Sequence, residues 1–308
     1  MRVAVTGASG FVGTHLIERL VAAGHEVRAL THRTALARRT GVTVVRGGLD
    51  DAAALERLVA DVDAVIHAAG AVAAADEATF RAVNTDGARR LATAARDAGV
   101  SRFLLLSSLA ARRPDLSAYA ASKKAAEDAL AGIDGLAWDA LRPPAIYGPG
   151  DRQVLVFFRL LKRGIGLLPA GDKARVSVIH VADLSEAIVA WLDTETCAND
   201  VYELADGYRN GYTWRTLIDA AARELTIEPR YMTPPRGLLH VLSHGLRAWA
   251  RLTGAVPFLT PDKLRELRHT DWVCRDDRFR RRTGWRPRIA LGEGLRATLA
   301  WYQARGWL

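Results

Sequence analysis

Short apolar runs alternate with amphipathic stretches along most of this chain. Amphipathic helices are predicted from about 11 to 23, 78 to 98 and 213 to 225. The apolar runs predict buried strands at 2–6, 25–30, 42–46, 62–67, 102–106, 136–141 and 201–204. Strands that alternate with helices form parallel sheets, so the pattern predicts an α/β fold with a doubly wound parallel sheet.

A glycine-rich turn, GASGFVG, joins the first predicted strand to the first predicted helix. Without bulky side chains, its backbone N–H groups can approach a phosphate at the helix N-terminus. The alternative is a tight βα turn that binds nothing, but its place at the start of a β-α-β unit favours a dinucleotide site. The candidate cofactor-binding residues are Gly7, Gly10, Phe11, Val12 and Gly13.

The second strand ends in a cation where NAD-binding units usually carry a carboxylate for the ribose 2′-hydroxyl. Thr31 is followed by His32 and Arg33, and no acidic residue stands there. An arginine suits a 2′-phosphate, so we expect NADP in preference to NAD, with His32 and Arg33 as contacts. The alternative is a solvated arginine in a loop that contains several.

Hydroxyl and amine side chains are concentrated between Ser107 and Lys123. Ser107 and Ser108 end the fifth predicted strand, and Tyr119 and Lys123 follow in an alanine-rich stretch that favours helix. Their spacing of four places both side chains on one helical face. An ammonium beside a phenol lowers the tyrosine pKa, so Tyr119 is a candidate general acid or base. The alternative is a surface pair without a function.

Composition and charge exclude several classes of protein. The chain has 308 residues and a net charge of +9, but its basic residues are scattered and almost all arginine, so we expect no nucleic-acid partner. Two cysteines, Cys197 and Cys274, are too few for a disulfide framework or a zinc site, and we expect no metal. No signal peptide or apolar run of membrane-spanning length is present, which predicts a cytoplasmic protein.

The motifs occur in an order that resembles the extended short-chain dehydrogenase/reductases, the group that contains NAD-dependent epimerases and dehydratases. The matching segments are GASGFVG at 7–13, LDD at 49–51, VIHAAG at 65–70, Asn84, SS at 107–108, YAASK at 119–123, LRPPAIYGPGD at 141–151, VIHVADLSEAI at 178–188 and GWRPRIALGEGLRATLAWY at 284–302. The resemblance implies a Rossmann-type sheet with a smaller C-terminal substrate-binding domain. We expect the dinucleotide-binding domain at 1–147 plus 177–206, and the substrate-binding domain at 148–176 plus 207–308.

The resemblance also implies roles for the matching residues. Tyr119 resembles the proton donor/acceptor, Lys123 the residue that lowers its pKa and holds the nicotinamide ribose, and Ser108 the hydroxyl that bonds the reacting oxygen. Further cofactor contacts are implied for Leu49, Asp50, Ala68, Ala69, Gly70, Asn84, Ser107, Tyr119, Lys123, Pro143 and Ala145.

Two departures separate the chain from typical nucleotide-sugar enzymes of this group. Tyr119 follows Ser108 by only 11 positions, a much shorter interval than in those enzymes, and no V-Y-G follows the serine. The segment 174–181 also lacks their usual form. We therefore expect an NAD(P)-dependent oxidoreductase for a secondary alcohol or ketone, bulky and apolar, as in hydroxysteroid dehydrogenases. The alternatives are a nucleotide-sugar epimerase or dehydratase, and a non-catalytic cofactor-binding assembly protein.

Apolar residues recur near helical spacing in the segment 237–252, which prolines flank. We expect a helix there that packs on the substrate domain, covers an apolar substrate as a lid, or contacts a membrane surface or a partner. The expected ligand is a small-molecule substrate. A homodimer through a helix pair is common in the family.

Overall fold

The computed structural model describes residues 1–235, Gly237 and residues 260–308. By its internal contacts the chain forms two compact units. Unit 1 comprises Met1–Arg142, Leu184–Glu203 and Asp276–Trp285; unit 2 comprises Pro143–Asp183, Leu204–Arg275 and Arg286–Leu308. The helix expected at 237–252 lies, apart from Gly237, outside the described residues.

Unit 1 is built on a seven-stranded parallel sheet. Its strands, numbered along the whole chain, are β1 (Arg2–Thr6), β2 (Glu26–Thr31), β3 (Val42–Arg46), β4 (Ala64–His67), β5 (Phe103–Leu106), β6 (Trp138–Arg142) and β11 (Asp200–Glu203). They lie in the order β11-β6-β5-β4-β1-β2-β3. The strand order reverses at β1, because β2 and β3 are added on one side of it and β4 on the other. Such folds bind ligands at this point, beyond the carboxyl ends of the strands. The predicted doubly wound sheet is confirmed.

Helices cover both faces of this sheet. They are α1 (Phe11–Ala22), α2 (Ala52–Val59), α3 (Glu77–Phe80), α4 (Gly87–Asp97), α5 (Ala118–Ala131), the end of α7 (Val181–Leu192) and α10 (Arg278–Thr283). Every residue of β4 and β5 is buried, as expected for strands covered on both sides. None of the helices in the described ranges has the length and apolar character needed to cross a bilayer.

The single helix predicted from 78 to 98 is wrong in one respect. After α3 the chain makes a wider, π-helical turn at Arg81–Asp86 before α4 begins. The turn holds Asn84 and Thr85, consecutive residues that are both buried and both bonded to Ser122. Consecutive side chains of an α-helix diverge by about 100°, so an ordinary helix does not direct both towards one residue.

Unit 2 is built from small sheets and from helices of its own. Its strands are β7 (Ala145–Tyr147), β8 (Ile165–Leu167), β9 (Arg175–Val176), β10 (Val178–His180), β12 (Tyr212–Thr213), β13 (Arg230–Met232) and β14 (Asp271–Trp272), paired as β10-β7, β12-β9-β14 and β13-β8. Its helices are α6 (Leu155–Lys162), α8 (Trp214–Leu225), α9 (Pro261–Arg268) and α11 (Leu291–Ala304). A core that includes Phe158, Ile218 and Leu299 joins α6, α8 and α11.

The observed units differ from the predicted domain bounds at each junction. Residues 143–147, 177–183 and 204–206 belong to unit 2, and residues 276–285 belong to unit 1. The last assignment has a clear physical reason. Arg278 of α10 donates to Asp200 Oδ2 at 2.6 Å and to the Val201 carbonyl at 2.7 Å, which attaches this segment to the edge strand β11.

Asp139 of β6 is fully buried, and its carboxylate accepts hydrogen bonds from α7 and from the segment that leads into β11. It accepts from Trp191 Nε1 at 2.9 Å and from the backbone N–H groups of Ala198 and Asp200 at 3.0 and 3.3 Å. We expect Asp139→Ala to lower the free energy of unfolding by about 2–4 kcal/mol, because buried donors lose their acceptor. Urea denaturation measures this. The exposed Asp134→Ala is the control, and equal losses in both variants would contradict the assignment.

Candidate active site

The first turn of α1 presents backbone N–H groups that no side chain caps. Gly10 is the N-cap, with extended backbone and no side-chain hydrogen bond, whereas Asp51 and Ser117 cap α2 and α5. The N–H groups of a first helical turn have no partner within the helix and attract anions. The predicted glycine turn therefore ends in a suitable phosphate-binding helix terminus.

Close packing against the end of β4 requires glycine in this turn. Gly7 has a φ of +74°, and a Cβ there would lie 2.6 Å from the Ala68 carbonyl carbon and from Ala69 N. A Cβ on Gly13 would lie 2.0 Å from the Gly7 oxygen. The turn thus places bare backbone beside Ala68 and Ala69, a cradle that fits the pyrophosphate of a dinucleotide.

The end of β2 is open and basic. Thr31 is buried, while His32 and Arg33 are exposed, and Arg33 forms no ion pair with any residue in the described part of the chain. After β3, Leu49 packs so closely on α4 that a Cβ at Gly87 would lie 2.8 Å from Leu49 Cδ1. Asp50 beside it is exposed. The predicted cofactor contacts His32, Arg33, Leu49 and Asp50 therefore follow strands at the end of the sheet that carries the glycine turn.

Asn84 ties the loop after β4 to α5. Its Oδ1 accepts from Ala71 N at 2.7 Å, and its Nδ2 donates to the Ala71 carbonyl at 3.0 Å and to Ser122 Oγ at 2.9 Å. Ser122 Oγ in turn donates to the Tyr119 carbonyl at 2.8 Å. The side chain predicted to touch cofactor thus has a bridging position, and Ser122 is a residue that sequence reasoning missed.

Lys123 projects from α5 onto the end of β5. Its side chain is buried, and Nζ donates to the Leu106 carbonyl at 2.7 Å. Gly70 is a neighbour of this ammonium, since a Cβ there would lie 3.6 Å from Lys123 Nζ. Burial lowers the pKa of Lys123 from 10.5 to about 8, and the negative charge of Glu127 opposes this shift.

Tyr119 lies one turn before Lys123 on α5, as the spacing predicted. The helix begins directly after Ser117, whose Oγ accepts from Ala120 N at 3.0 Å. The Tyr119 ring is half-buried and contacts Phe80, with ring centroids 5.9 Å apart. Phe80 was not among the predicted residues, because no local pattern marks a contact between α3 and α5.

Ser108 follows β5 and starts the short 3₁₀ turn Leu109–Arg112. Its Oγ accepts from Ala110 N at 3.2 Å, and no residue in the described ranges takes its proton. The hydroxyl is therefore able to donate to a substrate oxygen.

Ser107, expected to contact the cofactor, bonds its hydroxyl to a carboxylate of α5. Ser107 Oγ donates to Glu127 Oε1 at 2.5 Å, and Arg142 donates to both carboxylate oxygens of Glu127 at 2.8 and 2.5 Å. A cofactor contact through this hydroxyl would compete with that bond. Glu127 and Arg142 were missed, although the spacing of four from Lys123 places Glu127 on the same helical face.

His67 is buried at the end of β4, where its Nδ1 lies 2.6 Å from Thr6 Oγ1. Burial, with the positive charge of Lys123, lowers the pKa of His67 to about 3, so the imidazole is neutral at physiological pH. Thr6 Oγ1 also accepts from Ala69 N at 3.2 Å. Through these bonds, Thr6 and His67 position the start of the loop that follows β4 and faces the glycine turn.

Pro143 and Ala145 are the predicted cofactor residues that do not belong to unit 1. Both follow β6 in the chain and are assigned to unit 2, where Pro143 is buried and Ala145 is exposed. The remaining predicted residues all lie in unit 1.

Comparison with known proteins agrees with this geometry. Residues 3–205 match the model of the NAD dependent epimerase/dehydratase family. The chain is 40% identical to a ceramide reductase of Caulobacter vibrioides, covering 99% of this chain and 96% of that protein. It is 31% identical to a 2-alkyl-3-oxoalkanoate reductase of Stenotrophomonas maltophilia, covering 96% and 98%.

The fold is also that of a solved enzyme of Bordetella bronchiseptica, WbmH, in complex with NAD⁺. The TM-score is 0.75 at 22% identity, over 99% of both chains. The family match and the reductase relatives together fix the class of chemistry. The chain belongs to the NAD dependent epimerase/dehydratase family and is an NAD(P)-dependent enzyme of the oxidoreductase/epimerase type.

Proposed function

We propose that this protein uses NADPH to reduce a ketone on a bulky, apolar, lipid-like substrate to a secondary alcohol. The observation that carries the proposal is that α5, which bears Tyr119 and Lys123, is bonded through Lys123 to the carboxyl end of β5, which Ser108 follows. A hydroxyl with an uncommitted proton, a phenol and a buried ammonium are the groups that carbonyl reduction needs.

The proposed chemistry assigns each side chain one task. When bound, the reduced nicotinamide supplies a hydride to the carbonyl carbon. Ser108 donates a hydrogen bond to the carbonyl oxygen as negative charge develops there, and Tyr119 gives that oxygen its phenolic proton. Lys123 stabilises the phenolate that remains until solvent returns a proton. One ketone, one NADPH and one proton thus give one secondary alcohol and NADP⁺.

NADPH is favoured over NADH by the exposed end of β2. The guanidinium of Arg33 forms no ion pair with a described residue, and no carboxylate stands at the position that would hold a ribose 2′-hydroxyl. A planar, permanently charged guanidinium suits a 2′-phosphate.

An apolar ketone is favoured by the short connection between Ser108 and Tyr119. Much of it is the 3₁₀ turn, of which Leu109, Ala110 and Ala111 are buried, so little chain remains to build contacts to a sugar. The relatives named above are reductases of a ceramide and of a 3-oxoalkanoate, and both names describe compounds with hydrocarbon chains. We therefore favour a keto form of a ceramide-class lipid.

We expect Tyr119→Phe to lower kcat for ketone reduction by roughly 100- to 10,000-fold, because the proton donor is lost. NADPH affinity should stay within twofold or so of wild type. Tyr231→Phe, which removes a hydroxyl bonded to Asp219 in unit 2, is the matched control. The assay follows nicotinamide absorbance with a keto-ceramide, a 2-alkyl-3-oxoalkanoate and UDP-glucose, and product analysis accompanies it. Unchanged turnover in Tyr119→Phe, or conversion of UDP-glucose alone, would overturn the proposal.

For the cofactor, Arg33→Ala should raise the Kd for NADPH by about 10- to 100-fold, since a charged hydrogen bond to the 2′-phosphate is lost. The Kd for NADH should barely change. Arg57→Ala, at an exposed arginine of α2, serves as the control. Fluorescence titration measures both constants, and an equal effect on the two cofactors would argue against the assignment.

The pH dependence of reduction follows from the buried ammonium. Because the pKa of Lys123 is lowered to about 8, its charge is present below that pH and is lost as the pH rises through it. We expect kcat/KM for ketone reduction to fall above about pH 8. A profile that stays flat to pH 10 would contradict this expectation.

A further inference from the structure

Two residues on one face of α5 form hydrogen bonds with Leu106 and Ser107, the consecutive residues at which β5 ends. Lys123 Nζ donates to the Leu106 carbonyl at 2.7 Å, and one helical turn later Glu127 Oε1 accepts from Ser107 Oγ at 2.5 Å. The next residue of the chain is Ser108. Both bonds fix the two residues that precede Ser108, and they therefore restrict where its hydroxyl lies relative to α5.

A third element, β6, joins the same cluster. Ser107 N donates to the Leu141 carbonyl at 2.8 Å, and the next residue, Arg142, donates two hydrogen bonds to the Glu127 carboxylate. The side chains of Arg142 and Glu127 are only 15% and 3% exposed. A paired, two-bond contact between guanidinium and carboxylate is geometrically specific, so the cluster allows little movement.

We propose that Glu127 is a positioning residue, which bonds Ser107 and Arg142 so that the reacting hydroxyl of Ser108 keeps a fixed place relative to Tyr119 and Lys123. The inference rests on the proposed function. It differs from a purely structural role because Glu127 also bears the negative charge that shares a helical face with the Lys123 ammonium.

The charges around this cluster are few. Lys123 faces Glu127 on α5, the neutral imidazole of His67 on β4 and the Leu106 carbonyl on β5. Glu203 and Asp128 also act electrostatically on Arg142. Glu127 is thus the carboxylate that favours the charged form of Lys123, and its loss should lower the pKa of that group further.

The test is Glu127→Gln, which keeps the size of the side chain and an acceptor for Ser107 but removes the charge. We expect kcat for ketone reduction to fall at least about tenfold, because near-attack geometry is sensitive to small displacements. The alkaline limb of kcat/KM should move down by about one pH unit or more, while the Kd for NADPH stays near that of wild type.

A second measurement does not depend on turnover. The chain contains five lysines, so NMR titration of the protein carrying ¹³Cε-labelled lysine can follow Lys123 directly, with Lys123→Met to assign its signal. We expect its midpoint to be lower in Glu127→Gln than in wild type. Glu186→Gln removes the carboxylate of another Glu–Arg pair in unit 1 and should change neither readout.

Loss of one partner of a buried ion pair can prevent folding, so a double variant is included. Glu127→Gln with Arg142→Leu removes both charges and should recover most of the thermal stability lost in the single variant. The shifted limb and the lowered Lys123 midpoint should persist, because the carboxylate is still absent. Recovery of both with the stability would reduce Glu127 to a structural residue.

The outcomes separate this inference from the proposed function. If wild type reduces no ketone, the proposed function fails, whereas the lysine titration still tests the link between Glu127 and Lys123. If wild type is active and Glu127→Gln matches it in kcat, pH limb and Lys123 midpoint, the positioning role is wrong.

Discussion

A primary ammonium held away from water is the constraint on which the rest of this active site depends. Lys123 is buried, and an isolated buried charge is strongly unfavourable, so its surroundings must supply a compensating acceptor and opposite charge. The Leu106 carbonyl and Glu127 supply them. Meeting this requirement brings α5 onto the end of β5, and the same contact brings Tyr119 and Ser108 to one region of unit 1.

The cofactor side of unit 1 depends instead on glycines, which have no side chain to block close packing. The glycine turn lies so close to Ala68 and Ala69 that a Cβ at Gly7 would overlap their backbone. Thr6 and His67, bonded to each other at the ends of β1 and β4, keep this close approach in place. The two halves of the site are therefore built in opposite ways, with bare backbone on one side and compensated charge on the other.

The features that were predicted correctly from the sequence are those that depend on local patterns. The bounds of β1 and β3 agree with the apolar runs at 2–6 and 42–46, and the parallel sheet follows from the alternation of elements. The Tyr119–Lys123 spacing needs only the helical period. Glu127 and Arg142 were missed because their contact joins a helix to a strand, and only the packing of α5 on β5 and β6 brings them together. The assignment of residues 276–285 to unit 1 was missed for the same reason, since Arg278 attaches to β11 across a long stretch of chain.

The π-helical turn at Arg81–Asp86 also fixes the number of residues that the chain needs between α3 and α4. A π-helical turn accommodates one more residue than the α-helical turn that it replaces. That extra residue directs both Asn84 and Thr85 towards Ser122, and so links the loop after β4 to the helix that carries Tyr119. Deleting a single residue here would permit a regular helix, yet it would rotate one of these side chains away. Relatives that keep this active site should therefore vary at the positions of 81–86 other than Asn84 and Thr85 more readily than in the number of residues.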